Sequence, residues 1–359
     1  MRIAFVIPSL GPGGAERVAT LLCNEWVRQG HILALASFDV EDPFFPLDEG
    51  IDIHAITAST SSGLTARLRA NVSRISDLRS WLRRFRPNAA VSFMTEANVA
   101  AAWACRGLGV PLVISERNQP ERPGLGALRK IARRRSYPLA SAMVVQTDEI
   151  ASWAKARFRI PIQVIPNPVQ IGPDQPRRRG DAKLIMSIGR LTPQKGFDVL
   201  VKSFAGVAGK HPDCRLVIYG EGPDRPLLEG LRSESGLGGR VSLPGLTKDS
   251  ARALRQADLF VLPSRFEGYP NALLEALASE RPVVATACPG ATAEILANGV
   301  YGMLVPPDDV AALTNALDSM LSAPELRDAY ASKARRAVAE LDVATIGRRW
   351  LDVLAGLKG

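Results

Sequence analysis

Short apolar runs alternating with longer amphipathic stretches constrain this chain more than any other feature. In the first half the runs fall at residues 2–8, Ile32–Phe38, Ile51–Ile56, Ala89–Phe93, Leu112–Ser115, Ala142–Gln146 and Ile162–Ile165. In the second half they fall at Leu184–Ile188, Arg215–Tyr219, Val241–Leu243, Leu259–Leu262, Val283–Ala285 and Met303–Val305. Strands this short and this apolar are buried on both faces, which requires a parallel sheet covered by helices. Helical stretches lie between them, for example from about Ala15 to Gln29, stopped by Gly30, and over 64–86. The spacing predicts an α/β chain of doubly wound domains, with ligands at the carboxyl ends of the strands.

The alternation restarts once. Pro166-Asn167-Pro168 breaks regular structure, and the polar stretch from Pro173 to Gly180 carries three arginines. The expected division is therefore residues 1–168 and 169–340, with a closing helix over 341–359 that packs back toward the first domain. A length of 359 residues fits two domains. No apolar run is long enough to span a bilayer, and the first eight residues read as a strand rather than a signal peptide. Cys23, Cys105, Cys214 and Cys288 are scattered in apolar runs without metal spacing, as reduced thiols of a cytosolic protein are. His31, His54 and His211 are the three histidines, and none joins a Ser–His–Asp or Cys–His set. No metal cofactor is expected.

Charge is unevenly placed. The chain carries a net charge of +9, yet residues 63–135 hold fifteen Lys or Arg against four Asp or Glu. The excess belongs to two segments. One is the periodic helix of Leu64, Leu68, Val72, Ile75, Leu78, Leu82 and Phe85, whose other positions include Arg67, Arg74, Arg79, Arg83, Arg84 and Arg86. The other is Arg129-Lys130-Ile131-Ala132-Arg133-Arg134-Arg135. A solvated basic face and contact with anionic lipid or a lipid-linked diphosphate both fit this pattern. Nucleic acid does not, because no nucleic-acid motif is present and aromatics are 6% of the chain.

Candidate chemistry lies in the second half. Pro263-Ser264-Arg265-Phe266-Glu267-Gly268-Tyr269-Pro270-Asn271-Ala272-Leu273-Leu274-Glu275-Ala276 joins a strand to a helix start, where free N–H groups and the helix dipole favour an anion. Glu267 and Glu275 are placed to accept hydrogen bonds from sugar or ribose hydroxyls. As a surface cap and a solvated helix residue they would need no ligand. Arg190 and Lys195 follow the Leu184–Ile188 strand, where they can neutralise a diphosphate. Gly220-Glu221-Gly222-Pro223 and Gly245-Leu246 end two further strands, where glycine admits close approach of a base or ribose.

The ordered set resembles the retaining glycosyltransferases of family 4, which have the GT-B fold. The pieces that carry the resemblance are the E-x7-E element from Glu267 to Glu275, SIGRLTPQKG, YGEGP, PGL, the GPGGAER turn and IPNPV, matched in order over nearly the whole chain. GGAERV, ISERN and EGYPNALLEA further resemble bacterial transferases that add N-acetylgalactosamine or similar sugars to polyprenyl-diphosphate-linked glycans.

The resemblance implies two Rossmann-like domains facing across a cleft and a UDP-sugar donor held mainly by the second. It assigns Arg190, Lys195 and the Gly14 backbone to the diphosphate, the Leu246 backbone to the uracil, Glu275 to the ribose and Glu267 to the transferred sugar. Gly268 and the backbone at Tyr269, Asn271 and Ala272 complete the cradle; Pro270, which has no N–H, departs from the glycine found there in relatives. Glu116 and Asn118 stand at the acceptor-side strand end where many relatives carry a histidine. The implied acceptor is lipid-linked or a glycan, and Arg133, Arg134 and Arg135 would dock the enzyme at an anionic membrane surface on the cytoplasmic face of the inner membrane. An inverting transferase, a UDP-sugar epimerase and a non-enzymatic nucleotide-sugar-binding protein are the alternatives.

Overall fold

The computed structural model describes residues 1–39, 42–56, 64–117, 126–172 and 183–357. The chain divides into two compact units, Met1–Pro168 with Val343–Gly359, and Val169–Asp342. Among the described residues each unit holds one parallel sheet.

The first unit runs β1 (Arg2–Ile7), α1 (Gly14–Arg28), β2 (Ile32–Ser37), β3 (Asp52–Ala55), α2 (Leu64–Phe85), β4 (Ala89–Phe93), α3 (Thr95–Cys105), β5 (Leu112–Ser115), α4 (Ala127–Ser136), β6 (Ala142–Val145), α5 (Asp148–Lys155) and β7 (Ile162–Val164). Its seven strands take the order β3-β2-β1-β4-β5-β6-β7. The second unit runs β8 (Leu184–Ile188), α6 (Phe197–Ala208), β9 (Arg215–Tyr219), α7 (Arg225–Glu234), β10 (Val241–Gly245), α8 (Ser250–Gln256), β11 (Leu259–Leu262), α9 (Asn271–Ala278), β12 (Val283–Thr286), α10 (Thr292–Ile295), β13 (Met303–Val305), α11 (Val310–Ser322) and α12 (Pro324–Ala334). Its six strands take the order β10-β9-β8-β11-β12-β13. A final helix, α13 (Val343–Gly356), belongs to the first unit.

The apolar runs became central strands for the reason their composition suggests. All five residues of β4 and all four of β5, β6, β11 and β12 are buried. Burying each large side chain among them contributes about 1.5–3 kcal/mol. In the first unit Phe5 meets Phe93 edge-on at 4.7 Å, and Phe93 meets Trp350 of α13 at 5.6 Å. The Trp26 indole of α1 donates to the Gly347 carbonyl of α13 at 3.1 Å, which ties the returning helix into this core. In the second unit α6 and α11 share one core through Leu200, Phe204, Leu313 and Leu317.

Two expectations change. The periodic face of α2 buries Leu78 and Leu82, but Val72 is 67% exposed, so among the described side chains periodicity alone does not place a residue in the core. Its cations are not one solvated face either: Arg79 donates to the Ala104 and Arg106 carbonyls, and Arg74 stacks over Phe38. The helix expected over 324–340 is α-helical to Ala334 and then tightens to a 3₁₀ turn over Arg335–Leu341.

Candidate active site

In the second sheet β8 and β11 are neighbours, but the chain leaves them in opposite directions, so their carboxyl ends form the topological switch point of the sheet. The loop after β8 and the loop after β11 are locked together there. Gly196 has φ +63, and a Cβ on it would lie 2.1 Å from the Pro263 carbonyl oxygen. The Arg265 amide donates to the Gln194 carbonyl at 2.8 Å, and Gln194 Nε2 returns a bond to the Phe266 carbonyl at 2.9 Å. The Arg265 guanidinium forks onto both oxygens of Asp198 at 2.9 and 2.8 Å and reaches Asp308 at 2.6 Å. Burial alone would raise the Asp198 carboxyl, but its bonds to Arg265 hold it below the usual carboxylate range.

Inside this frame the two loops bring their charges together. Lys195 Nζ lies 2.6 Å from Glu267 Oε1, and the Ser264 hydroxyl donates to the same oxygen at 2.6 Å. Glu267 is 4% exposed, so its carboxylate is nearly dry and compensated by a cation and a neutral donor. Its backbone is held from the third side. The Glu267 amide donates to the Pro289 carbonyl at 2.9 Å, and the Ala291 amide to the Gly268 carbonyl at 3.1 Å. Gly290 has φ +116, and a Cβ there would lie 1.9 Å from the Glu267 carbonyl oxygen. Three loops, after β8, β11 and β12, therefore converge on one glutamate, two of them on its carboxylate and the third on its backbone.

The other candidates of this unit lie on the same edge of the sheet. Arg190 is exposed directly after β8. Leu246 is 46% exposed directly after β10, where the Gly220 amide donates to the Gly245 carbonyl at 2.8 Å. Gly268, Tyr269, Asn271, Ala272 and Glu275 are half-buried around the start of α9, for which Pro270 is the N-cap. Gly14 opens α1 in the first unit, where the Glu16 carboxylate folds back so closely that a Cβ on Gly13 would lie 2.0 Å from Glu16 Oε2.

Glu116 is 2% exposed at the carboxyl end of β5. Tyr137 Oη donates to it at 2.6 Å and Thr95 Oγ1 at 3.1 Å, and Gln146 Nε2 donates to its backbone carbonyl at 2.8 Å. Burial raises its carboxyl, with Tyr137, Arg133 and Thr95 opposing. The adjacent Arg117 stacks over Phe93 and donates to Asn167; burial pushes its guanidinium down to about 9. Asn118 lies outside the described residues.

One basic residue is corrected outright. Arg133 is 8% exposed and stacks over the Trp153 ring at 4.7 Å, on the inner side of α4, whereas Arg134 and Arg135 are exposed. The helical turn separates neighbours in sequence onto different faces, so Arg133 does not share a docking face with the other two. The four cysteines are free and buried, and burial raises each thiol, which leaves them without nucleophilic character. Among the described residues no cluster of three or more His, Cys, Asp or Glu could hold a metal ion, and no helix is long and apolar enough to cross a membrane.

Two family models match the chain in series, Glycosyltransferase Family 4 over residues 12–173 and Glycosyl transferases group 1 over residues 182–323. The chain is a glycosyltransferase. The first matched segment spans β2 to β7 and the second β8 to β13, and the architecture is GT-B. The transferase is 25% identical over its whole length to a Campylobacter jejuni enzyme, GalNAc-alpha-(1->4)-GalNAc-alpha-(1->3)-diNAcBac-PP-undecaprenol alpha-1,4-N-acetyl-D-galactosaminyltransferase, of which it covers 99%. Among solved structures it resembles sucrose-phosphate synthase from Thermosynechococcus elongatus, with a TM-score of 0.83 at 18% identity and 99% of each chain covered. It also resembles Anabaena HepE in complex with UDP and glucose, with a TM-score of 0.80 at 20% identity, covering 98% of this chain and 99% of that one.

Sequence reasoning had not assigned roles to Ser264, Asp198, Arg265 or Gly290. Ser264 lies inside the quoted PSRFEG stretch, and its spacing of three from Glu267 was the available signal. The others act across some 67 residues or through backbone geometry, for which a single chain carries no local mark.

Proposed function

We propose that the transferase moves a hexose or N-acetylhexosamine from a UDP-sugar to a lipid-linked or glycan acceptor, with retention of anomeric configuration, in the assembly of cell-surface polysaccharide or glycan. The observation that carries the reading is the meeting of Lys195 and Ser264 on Glu267 at the switch point of the second sheet. Lys195 and the exposed Arg190 receive the donor diphosphate, Glu267 a hydroxyl of the transferred sugar, and Glu275 the ribose. The Leu246 backbone meets the uracil, and the α9 start with Gly268, Tyr269, Asn271 and Ala272 faces the negative groups. The acceptor class follows the Campylobacter relative, whose name specifies an undecaprenyl-diphosphate glycan.

The chemistry follows from the residues that surround the donor. The acceptor hydroxyl approaches on the face from which UDP departs, and a diphosphate oxygen takes its proton. The protein's task is to stabilise charge growing on the diphosphate, which two cations and a helix end perform. No histidine base is required. Because Lys195 and Arg190 supply that positive charge, turnover is expected to be unchanged by EDTA. Loss of turnover in chelator, restored by magnesium or manganese, would contradict this.

A screen of UDP-GalNAc, UDP-GlcNAc, UDP-Gal, UDP-Glc and GDP-Man with a polyprenyl-diphosphate-linked acceptor tests the donor. One or more UDP-sugars turning over supports the reading, and turnover of GDP-Man alone overturns it.

The membrane reading rests on α4, which is built inside out. It buries Arg133 and Ser136 and exposes Leu128 at 72% and Ile131 at 51%, beside the exposed Arg129, Lys130, Arg134 and Arg135. Arg129 pairs with Glu96 at 2.8 Å, and a helix that shows leucine, isoleucine and the cations Lys130, Arg134 and Arg135 to its surroundings suits the headgroup boundary of an anionic bilayer. Each cation near such a surface is worth about 1 kcal/mol, so Arg134→Glu with Arg135→Glu is expected to weaken co-sedimentation with phosphatidylglycerol vesicles by at least about tenfold. Unchanged binding would remove α4 as the docking element.

A further inference from the structure

We propose that Ser264 is a positioning residue for the sugar-binding carboxylate, saturating Oε1 of Glu267 together with Lys195 and so presenting Oε2 to the donor. The inference rests on the reading of Glu267 as the ligand of the transferred sugar.

A carboxylate on a glutamate turns easily about its terminal torsion, which is broad and roughly two-fold. Holding one oxygen from two directions removes that freedom. Both side-chain contacts of Glu267 in the described structure go to Oε1, from Lys195 Nζ and from Ser264 Oγ, each at 2.6 Å. Oε2 is the oxygen left to accept from a sugar hydroxyl.

The two donors are not equivalent. Lys195 carries its ammonium on a flexible stem, 18% exposed, and on the proposed reading the donor diphosphate competes for it. Ser264 is fully buried and uncharged, so the diphosphate does not draw it away. Its backbone carbonyl is anchored by the Thr286 hydroxyl of β12, and the Glu267 amide is anchored by Pro289 in the following loop. The hydroxyl and the carboxylate are thus fixed to the same strand end. When the diphosphate engages Lys195, Ser264 is the donor that keeps the carboxylate in orientation.

The test is a double-mutant cycle read by kcat with saturating UDP-sugar, alongside the Kd of UDP alone. Loss of a hydrogen bond to a charged group predicts a fall in kcat of about 10- to 100-fold for Ser264→Ala, with the UDP Kd unchanged to within about twofold. In a Glu267→Ala background, Ser264→Ala is expected to add no further loss, because the group it positions is gone. Ser264→Cys, which keeps a weak donor of similar size, is expected to fall between wild type and Ser264→Ala, and it repeats the comparison if the alanine variant does not fold. Undiminished kcat in Ser264→Ala, a parallel loss of UDP affinity, or independent losses in the cycle would each overturn the inference while leaving Glu267 in its role. Full activity in Glu267→Ala would instead overturn the reading of Glu267 itself, and the inference with it.

Discussion

Lys195→Ala is expected to lower kcat/KM for the nucleotide sugar by about 100- to 1000-fold, the scale of removing one preorganised donor from a developing negative charge, about 2.7–4 kcal/mol. Two losses combine in this variant. The diphosphate loses a cation at the moment charge grows on it. Glu267, 4% exposed, loses the ammonium 2.6 Å from Oε1 and keeps only the neutral Ser264 hydroxyl. A nearly buried carboxylate without its cation is costly, so the melting temperature should fall as well. Steady-state kinetics against donor concentration, with thermal unfolding of the same preparation, checks both parts. Arg190→Ala provides the comparison: Arg190 is exposed, so its loss should reduce donor turnover without a comparable loss of stability.

Gly290→Ala is expected to be as damaging, although residue 290 touches no substrate in this account. The backbone conformation at φ +116 alone costs a non-glycine residue about 1–3 kcal/mol. The added methyl would also lie 1.9 Å from the Glu267 carbonyl oxygen, a backbone atom that cannot swing aside as a side chain does. Relief requires the Glu267 segment to move by about an ångström, and misplacement on that scale is worth about 100-fold in rate. The expected result is a folded, less stable protein with kcat reduced by about 100-fold and ellipticity near wild type. Wild-type kcat would show that the loop after β12 is not what holds Glu267.

How far the sequence could be read follows from how locally each feature is encoded. The central strands were legible because a strand buried on both faces has to be apolar throughout, whereas the edge strands β3 and β7 are half-exposed and β10 alternates buried with exposed residues. The closing segment reads as helical in the sequence, and α13 belongs to the first unit. Glu267 and Glu275 stand out as candidates because a strand, a polar loop and a helix start are consecutive in the chain, but that spacing fits a cap and a solvated helix residue equally well, and their donor roles come from the family resemblance. The support around them was not. Asp198 and Arg265 are both ordinary surface residue types, and their pairing exists only once β8 and β11 lie side by side. Ser264 lies in the same stretch as Glu267 with no role marked by the sequence, and only the folded loop brings its hydroxyl to Glu267 Oε1 at 2.6 Å.

Arg133 shows the opposite failure. In a run of arginines its composition pointed outward, while the turn of α4 carries it inward onto Trp153, near Glu116. Val72 fails in the same way from the apolar side, since periodicity marks a face but not how far the core extends beneath it.

Retaining transfer from a UDP-sugar at the Glu267–Lys195 centre leaves its mark in the stereochemistry of the product. The most direct measurement is the proton NMR spectrum of the glycan formed from an α-linked UDP-sugar, read at the anomeric coupling of the new linkage. Retention gives an α linkage, formed by wild type and lost with Glu267→Ala. A β linkage would contradict it and identify the chain as an inverting transferase.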